Sequence, residues 1–205
     1  MKPLLATLLA PVFFTSCNIL EPVEDASVYH LLTATVPDRR VTGSTPSVGI
    51  ASPALPGYLD RQQLVSRTGE GVLVVNSRHQ WAESLDAGIA RVTAENLGRL
   101  ENSLNIQPVK NYVTLDYESL LEIRVDRFEP SADNVLVLEC TWKLQPVNGP
   151  VAPTRSFSTR IPLPPEPPAG EPGTGLDAAA NPLTPRIQAM NVALARLAGE
   201  ISRSL

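Results

Sequence analysis

The stretch LEIRVDRFEPSADNVLVLECTWKL, residues 121–144, decides the fold class, because side-chain character alternates along much of its length. In residues 121–126, apolar side chains alternate with charged ones, a pattern that predicts a strand with one buried face. In residues 135–144, apolar side chains again recur at every second position: Leu136, Leu138, Cys140, Trp142 and Leu144. This second run is the clearest strand in the chain, so the domain is predicted to be built on a sheet.

Shorter runs of β-forming residues predict further strands. They lie at residues 29–36, 48–51, 62–67, 71–76, 106–109 and 155–161. The runs 62–67 and 71–76 flank Thr-Gly-Glu, a spacing typical of a hairpin. Asn148-Gly149 marks a turn before the last strand.

Two amphipathic helices complete the predicted fold. Leu85, Ile89, Val92 and Leu100 share one face of a helix that ends near Asn102. A second apolar stripe begins near Pro182 or Pro185 and consists of Leu183, Ile187, Met190, Leu194, Leu197 and Ile201. We expect this second stripe to pack on the sheet, although it could also bind a partner. The predicted fold class is therefore α/β (α+β): a single domain in which two amphipathic helices pack on a mostly antiparallel sheet.

Residues 1–16 have the composition of a cleavable signal peptide. Lys2 precedes an apolar run at 4–14, and two small polar residues then lead to Cys17. The apolar run is well short of the roughly 20 residues that cross the hydrocarbon core of a membrane. The sequence thus predicts export rather than a permanent transmembrane helix.

The segment FTSC at 14–17 resembles a lipobox, the site at which bacteria attach diacylglycerol to a cysteine and cleave before it. This resemblance implies a lipid on Cys17, and two or more acyl chains give a stable membrane anchor. An Asp directly after the lipidated cysteine would favour retention in the inner membrane. Asn18 occupies this position instead, and its presence favours the outer membrane. The alternative is an ordinary secretory signal with a coincidental cysteine.

These features divide the chain into a signal peptide at 1–16, a lipidated N-terminus and tether at 17–28, and a periplasmic α/β domain at 29–205. Within the domain, residues 162–175 are rich in Pro and Gly and are predicted to form a mobile loop.

The overall composition excludes some classes of protein. A formal net charge of -4 and a pI near 5.2 provide no basic surface for nucleic acid. The chain has 20 Pro, about twice the usual share, which loops and linkers must accommodate.

The chain has two cysteines, which in an exported protein could form a disulfide. A lipidated Cys17 cannot pair, and Cys140 lies within the predicted strand pattern. Cys140 is therefore predicted to be a small buried hydrophobic residue without a disulfide, the alternative being a reactive thiol.

The sequence contains little that resembles a catalytic motif. His30 and His79 lack a neighbouring ligand at the spacing of a metal site. The segment Gly-Glu-Gly at 69–71 lacks the third glycine and the helix of a phosphate-binding loop. No serine lies in a G-x-S-x-G elbow. We expect no metal, no cofactor and no enzymatic activity.

The segments LPGYLDR at 55–61 and WAESL at 81–85 form a dense cluster of characteristic residues. With the stretch 48–100 around them and YHL at 29–31, they resemble the PqiC/YmbA-like family of auxiliary lipoproteins in ABC-type intermembrane transport. The likeness extends over nearly the whole chain. Gln62 and Ser84 depart from the family's pattern, since Pro is usual at both positions.

The resemblance implies an outer-membrane lipoprotein that faces the periplasm and works with an envelope-spanning mammalian-cell-entry (MCE) domain protein. Such systems move lipids or other hydrophobic molecules between membranes. The candidate docking residues for this partner are Tyr58, Asp60, Arg61 and Trp81. The alternative is that Tyr58 and Trp81 are core anchors and that Asp60 and Arg61 form a surface turn. Self-association is left open. A lipoprotein that holds a hydrophobic ligand in its own pocket is the alternative function.

Overall fold

The computed structural model describes residues 27–38, 40–109, 116–164 and 183–205. These residues form a single α+β domain. Its elements in chain order are β1 (Val28–His30), β2 (Val48–Ile50), β3 (Gln63–Gly69), β4 (Val72–Trp81), α1 (Leu85–Glu101), β5 (Ile106–Pro108), β6 (Ser119–Pro130), β7 (Val135–Pro146), β8 (Arg155–Pro162) and α2 (Thr184–Ser202).

The larger sheet has five strands in the order β5-β2-β6-β7-β8. At its centre, β6 and β7 pair antiparallel from Ser119 opposite Pro146 to Pro130 opposite Leu136. β8 extends this antiparallel pattern, whereas β2 runs parallel to both of its neighbours. The chain between the parallel strands β2 and β5 passes through α1, which provides the long crossover that parallel strands need.

The smaller sheet has three strands in the order β1-β4-β3. β3 and β4 form a hairpin, in which Gly71 has φ of 72°, a conformation that costs glycine little. β1 pairs in parallel with the end of β4, so that Val28 lies opposite His79 and His30 opposite Trp81. The start of the domain is thereby joined to a strand about 50 residues later in the chain.

The two helices pack on each other, and α2 also packs on β7 and β8. α1 ends at Asn102, which has the left-handed conformation typical of a helix C-terminus. The apolar stripes of both helices are buried together with the inner side chains of β6 and β7, except for Leu100. Leu100, which was predicted on the buried face of α1, is 37% exposed near the end of the helix. Burial of this apolar surface is the main favourable contribution to the stability of the fold.

Residues 31–36 form an extended segment that is held by the helices rather than by a strand. The side-chain oxygen of Asn191 in α2 accepts a hydrogen bond from the Thr33 N–H at 3.0 Å. Asn96 in α1 accepts two more backbone N–H groups of the segment, and Arg91 donates to the Leu32 carbonyl at 2.8 Å. Because both Asn side chains are buried, these bonds satisfy oxygens that water cannot reach.

The predicted α+β class and both helices are confirmed. The sheet differs in detail, because two mixed sheets replace the single, mostly antiparallel one. The predicted strand at 29–36 is reduced to β1, since the backbone after His30 bonds to helix side chains. The hairpin is confirmed, and β4 continues to Trp81, five residues beyond its predicted end.

The predicted signal peptide, Cys17 and most of the tether lie outside the described residues, as does the predicted loop from residue 165 onward. Within the described ranges, no helix has the length and apolar character needed to span a membrane.

Candidate partner-docking site

The loop at 55–61 connects β2 to β3 and is fixed at both of its ends. Before it, Ala54 bridges to β6, where its N–H donates to the Ile123 carbonyl at 3.0 Å. Within it, the N–H of Leu59 donates to the Pro56 carbonyl at 2.9 Å, which forms a turn. After it, the Gln62 carbonyl accepts the N–H of Trp81 at 2.7 Å. The loop therefore has a defined backbone path.

Tyr58 anchors the loop to β6. Its hydroxyl donates to Oε2 of Glu129 at 3.0 Å and lies 3.2 Å from the Asp126 carbonyl oxygen. Burial, and then the negative charge of Glu129, raise the pKa of Tyr58 to about 12. The phenol thus remains protonated, as a donor to a carboxylate must be.

Glu129 is completely buried, which is rare for a carboxylate unless it is paired. Its Oε1 accepts from Nε of Arg67 at 3.0 Å and from Nε of Arg127 at 3.1 Å. Its Oε2 accepts from the backbone N–H of Phe128 at 2.9 Å in addition to Tyr58. The hydrogen bond to Glu129 raises the pKa of Arg67.

These contacts make Glu129 the junction of three parts of the fold: Arg67 comes from the smaller sheet, Arg127 from the larger one, and Tyr58 from the loop. The Arg67 guanidinium also lies over the Tyr58 ring, 5.7 Å from its centroid. Because both oxygens of Glu129 already have two donors, the cluster stabilises structure and offers no spare acid or base.

Trp81 belongs to the core. Only 7% of its surface is exposed, and its side chain lies between the loop and α1. Asp60 and Arg61, by contrast, are exposed at the end of the loop. The structure therefore divides the four candidate residues into two that hold the loop, Tyr58 and Trp81, and two that face solvent, Asp60 and Arg61.

His30 and His79, which lie 49 residues apart, form a hydrogen-bonded pair with 2.8 Å between Nε2 of His30 and Nδ1 of His79. Burial lowers the pKa of both rings. The neighbouring His79 lowers the pKa of His30 further, and Arg186 and Arg78 lower the pKa of His79 further. No spacing in the sequence could indicate this pair, since it depends on the parallel pairing of β1 with β4.

In the part of the chain that the structure describes, the two histidines have no further ligands that would complete a metal site. Across residues 27–38, 40–109, 116–164 and 183–205, no group of three or more His, Cys, Asp or Glu could hold a metal ion. Two cationic neighbours, Arg78 and Arg186, also act against a bound cation.

Cys140 is 2% exposed and free, as expected of a small buried hydrophobic residue. Burial, with a smaller effect of Asp126, raises the pKa of its thiol to about 12. A thiol that stays protonated is a poor nucleophile, which argues against a reactive role. Its interpretation as a packing residue is confirmed.

Among the described residues, pockets lie under the loop and on the larger sheet. An apolar cavity under the loop, between Trp81, Phe128 and Met190, has a volume of about 20 Å³. This is room for about one water molecule, whereas ligand pockets are typically about 300–1,000 Å³. A larger depression of about 370 Å³, between the segment after β2 and strands β6 and β7, is open to solvent and lined in part by Glu122, Arg124 and Lys143.

The chain belongs to the family described as ABC-type transport auxiliary lipoprotein components, whose model matches residues 29–171. The family resemblance noted in the sequence is thus confirmed, and the protein is an auxiliary component of an ABC-type transport system.

Solved structures share the fold. The crystal structure of an uncharacterised protein has a TM-score of 0.62 at 17% identity, covering 87% of this chain and 97% of its own. That of a DUF330 protein from Xanthomonas campestris has a TM-score of 0.61 at 16% identity, covering 86% of this chain and 93% of its own. No curated protein matches the chain in sequence.

Proposed function

We propose that this protein is a non-enzymatic lipoprotein subunit of an MCE-type intermembrane transport system, which moves lipids or other hydrophobic molecules. In this proposal, a lipid on Cys17 anchors the chain to the outer membrane and the domain faces the periplasm. There it docks an envelope-spanning MCE-domain protein. Membership of the transport auxiliary family supports the general role.

The observation that carries the docking role is the construction of the loop at 55–61. Asp60 and Arg61 are exposed, while Tyr58, two residues before Asp60, is tied to the buried Glu129. A loop that is already ordered loses little conformational freedom when a partner binds, so more of the contact energy contributes to affinity. Arginine is also among the residues that most often carry the energy of an interface.

A carrier that holds a hydrophobic ligand in its own pocket is the competing hypothesis. The cavity of about 20 Å³ does not support it, because even a single acyl chain needs far more room. Docking requires only a surface, and the exposed end of the loop provides one.

The test compares substitutions in the full, lipidated chain by co-purification with its partners from a detergent extract. Arg61→Ala should weaken capture of the MCE protein by about 2 kcal/mol or more, roughly thirtyfold in Kd. Its melting temperature should hardly change, because substitutions at exposed sites usually shift stability by less than about 0.5 kcal/mol.

Two controls make the result specific. Arg160→Ala removes another exposed arginine, in β8, and should leave capture unchanged. Trp81→Ala should lower stability by about 3–5 kcal/mol through loss of a buried indole. An Arg61→Ala protein that melts normally and retains wild-type affinity for the MCE partner would remove Arg61 from the interface.

A further inference from the structure

The start of the domain presents three exposed apolar side chains within four residues. Val28 is 40% exposed, Tyr29 60% and Leu31 47%. Because successive side chains of a strand point to opposite faces, Val28 and Tyr29 lie on the two sides of the edge strand β1. We call these three residues at the edge of the smaller sheet the N-terminal apolar patch. Leu32 directly after them is 1% exposed, so the chain turns into the core only after the patch.

The patch lies in a stretch without charge. Between Asp25 and Asp38 the sequence contains no Asp, Glu, Lys or Arg. A surface that contacts lipid must not bury unpaired charges, whereas Tyr, Val and Leu are well suited to the boundary between water and hydrocarbon. Arg78, which is exposed on β4 next to the partner of Val28, is placed to interact with lipid phosphate.

The position of the patch in the chain identifies what covers it. Cys17 precedes Tyr29 by 12 residues, which span at most roughly 40 Å when fully extended. A lipid on Cys17 would thus hold the patch near the membrane surface at high effective concentration, so even a weak affinity for lipid would orient the domain.

We infer that the N-terminal apolar patch rests on the lipid surface to which the chain is anchored, so that Val28, Tyr29 and Leu31 orient the domain on the membrane. This inference rests on the anchoring at Cys17 in the proposed function and adds to it a second, non-covalent contact. The occupant is the bilayer itself, not a protein partner or a second copy of the chain.

The test uses tryptophan fluorescence of the mature, lipidated chain in vesicles of phosphatidylethanolamine and phosphatidylglycerol with brominated acyl chains. In the Tyr29→Trp protein, the new indole should be quenched by bromine and its emission shifted to shorter wavelength. Both native indoles, Trp81 and Trp142, are buried and give a constant background. Leu31→Trp reports on the same patch if Tyr29→Trp does not fold.

Val151→Trp is the matched control, because Val151 is 87% exposed between β7 and β8. Its indole should not be quenched. Equal quenching of the Tyr29→Trp and Val151→Trp proteins, or quenching of neither, would overturn the inference. A blue shift of the Tyr29→Trp emission without bromine quenching would show that protein covers the patch and would also overturn it.

Flotation of the same vesicles separates this inference from the proposed function. Protein that floats without quenching of the Tyr29→Trp indole is anchored but not oriented, so that only the present inference fails. Protein that does not float lacks the anchor, and both then fail.

Discussion

Glu129 illustrates how one buried charge can define the position of a surface loop. Removing a carboxylate from water is costly unless its oxygens find charged or polar partners. Here two arginines, one tyrosine and one backbone N–H provide them. Because three of these partners come from separate parts of the fold, the charge is satisfied only when the loop and both sheets are in place.

The first prediction concerns this charge. Glu129→Gln should lower the free energy of unfolding by about 3 kcal/mol, because it removes the carboxylate that pairs with the partly buried Arg67 and the nearer of the two carboxylates that pair with Arg127. Urea denaturation measures the change. Glu122→Gln is the control, since Glu122 forms an exposed ion pair with Lys143 and should shift stability by less than about 1 kcal/mol. Equal effects of the two substitutions would contradict this account.

The second prediction concerns Cys140. Cys140→Ala should lower stability by about 1 kcal/mol through lost packing, without loss of transport. The mature protein, denatured without reductant, should have one titratable thiol, because the proposed acylation of Cys17 would leave only Cys140 as a free thiol. A titration that finds no thiol would show that Cys140 is in a disulfide.

Among the elements, β1 has only three residues, and the hydrogen bond between His30 and His79 reinforces its pairing with β4. The pair requires at least one neutral ring nitrogen as the acceptor. Arg78 and Arg186 are the charged groups that affect His79, and both disfavour a second proton. The stability of the pairing between β1 and β4 is therefore expected to depend on pH.

The third prediction follows from the sign of these shifts. The pKa values of both histidines lie below 6.5 in the folded protein. At pH values between the folded and the unfolded pKa values, the unfolded chain therefore binds more protons than the folded one. Stability from the pair is fully present above pH 6.5 and is lost as the pH falls through the lowered folded pKa values. The melting temperature should thus be lower at about pH 5.5 than at about pH 7.5.

His30→Gln combined with His79→Gln removes both histidines of the chain while retaining amides that can bond to each other. The difference in melting temperature between the two pH values should become much smaller in this variant. If the variant and the wild type lose stability equally on acidification, carboxylates elsewhere are responsible and the histidine pair is not.

The elements also show what the sequence could predict and what it could not. The alternation in 121–126 and 135–144 and the two helical stripes depend on local spacing, and β6, β7, α1 and α2 follow them closely. The division into two sheets depends on long-range pairing, such as Val28 opposite His79, which no local pattern encodes. The histidine pair was missed for the same reason, and the role of Glu129 was missed because Tyr58 and Arg67 reach it only through the tertiary fold.

At the scale of the whole molecule, the N-terminal apolar patch and the docking loop lie near the same end of the smaller sheet. Tyr29 pairs with Gln80, and Gln80 pairs with Gln63, two residues after Arg61. Neighbouring strands are about 4.8 Å apart, so β1 and the start of β3 are separated by roughly 10 Å. If the patch rests on lipid, the proposed partner contacts the domain close to the membrane surface.

This arrangement depends on the anchor, which is the subject of the last prediction. Cys17→Ser should yield a protein that remains unprocessed or is mislocalised, because the hydroxyl replaces the thiol that would accept diacylglycerol. Growth with labelled palmitate measures the modification, and the wild-type chain should incorporate label whereas Cys17→Ser should not. Any Cys17→Ser protein that is exported and cleaved would have no acyl chain, and this species should be released from the membrane fraction.

The matched control is Cys140→Ala, which removes the second of the two cysteines. It should incorporate as much label as the wild type, because Cys140 is buried in the sheet and cannot serve as the acceptor in the folded protein. Wild-type incorporation into Cys17→Ser would refute the lipobox assignment. Export with cleavage but without label in the wild-type chain would instead indicate an ordinary secretory signal, and the domain would then have no covalent link to the membrane.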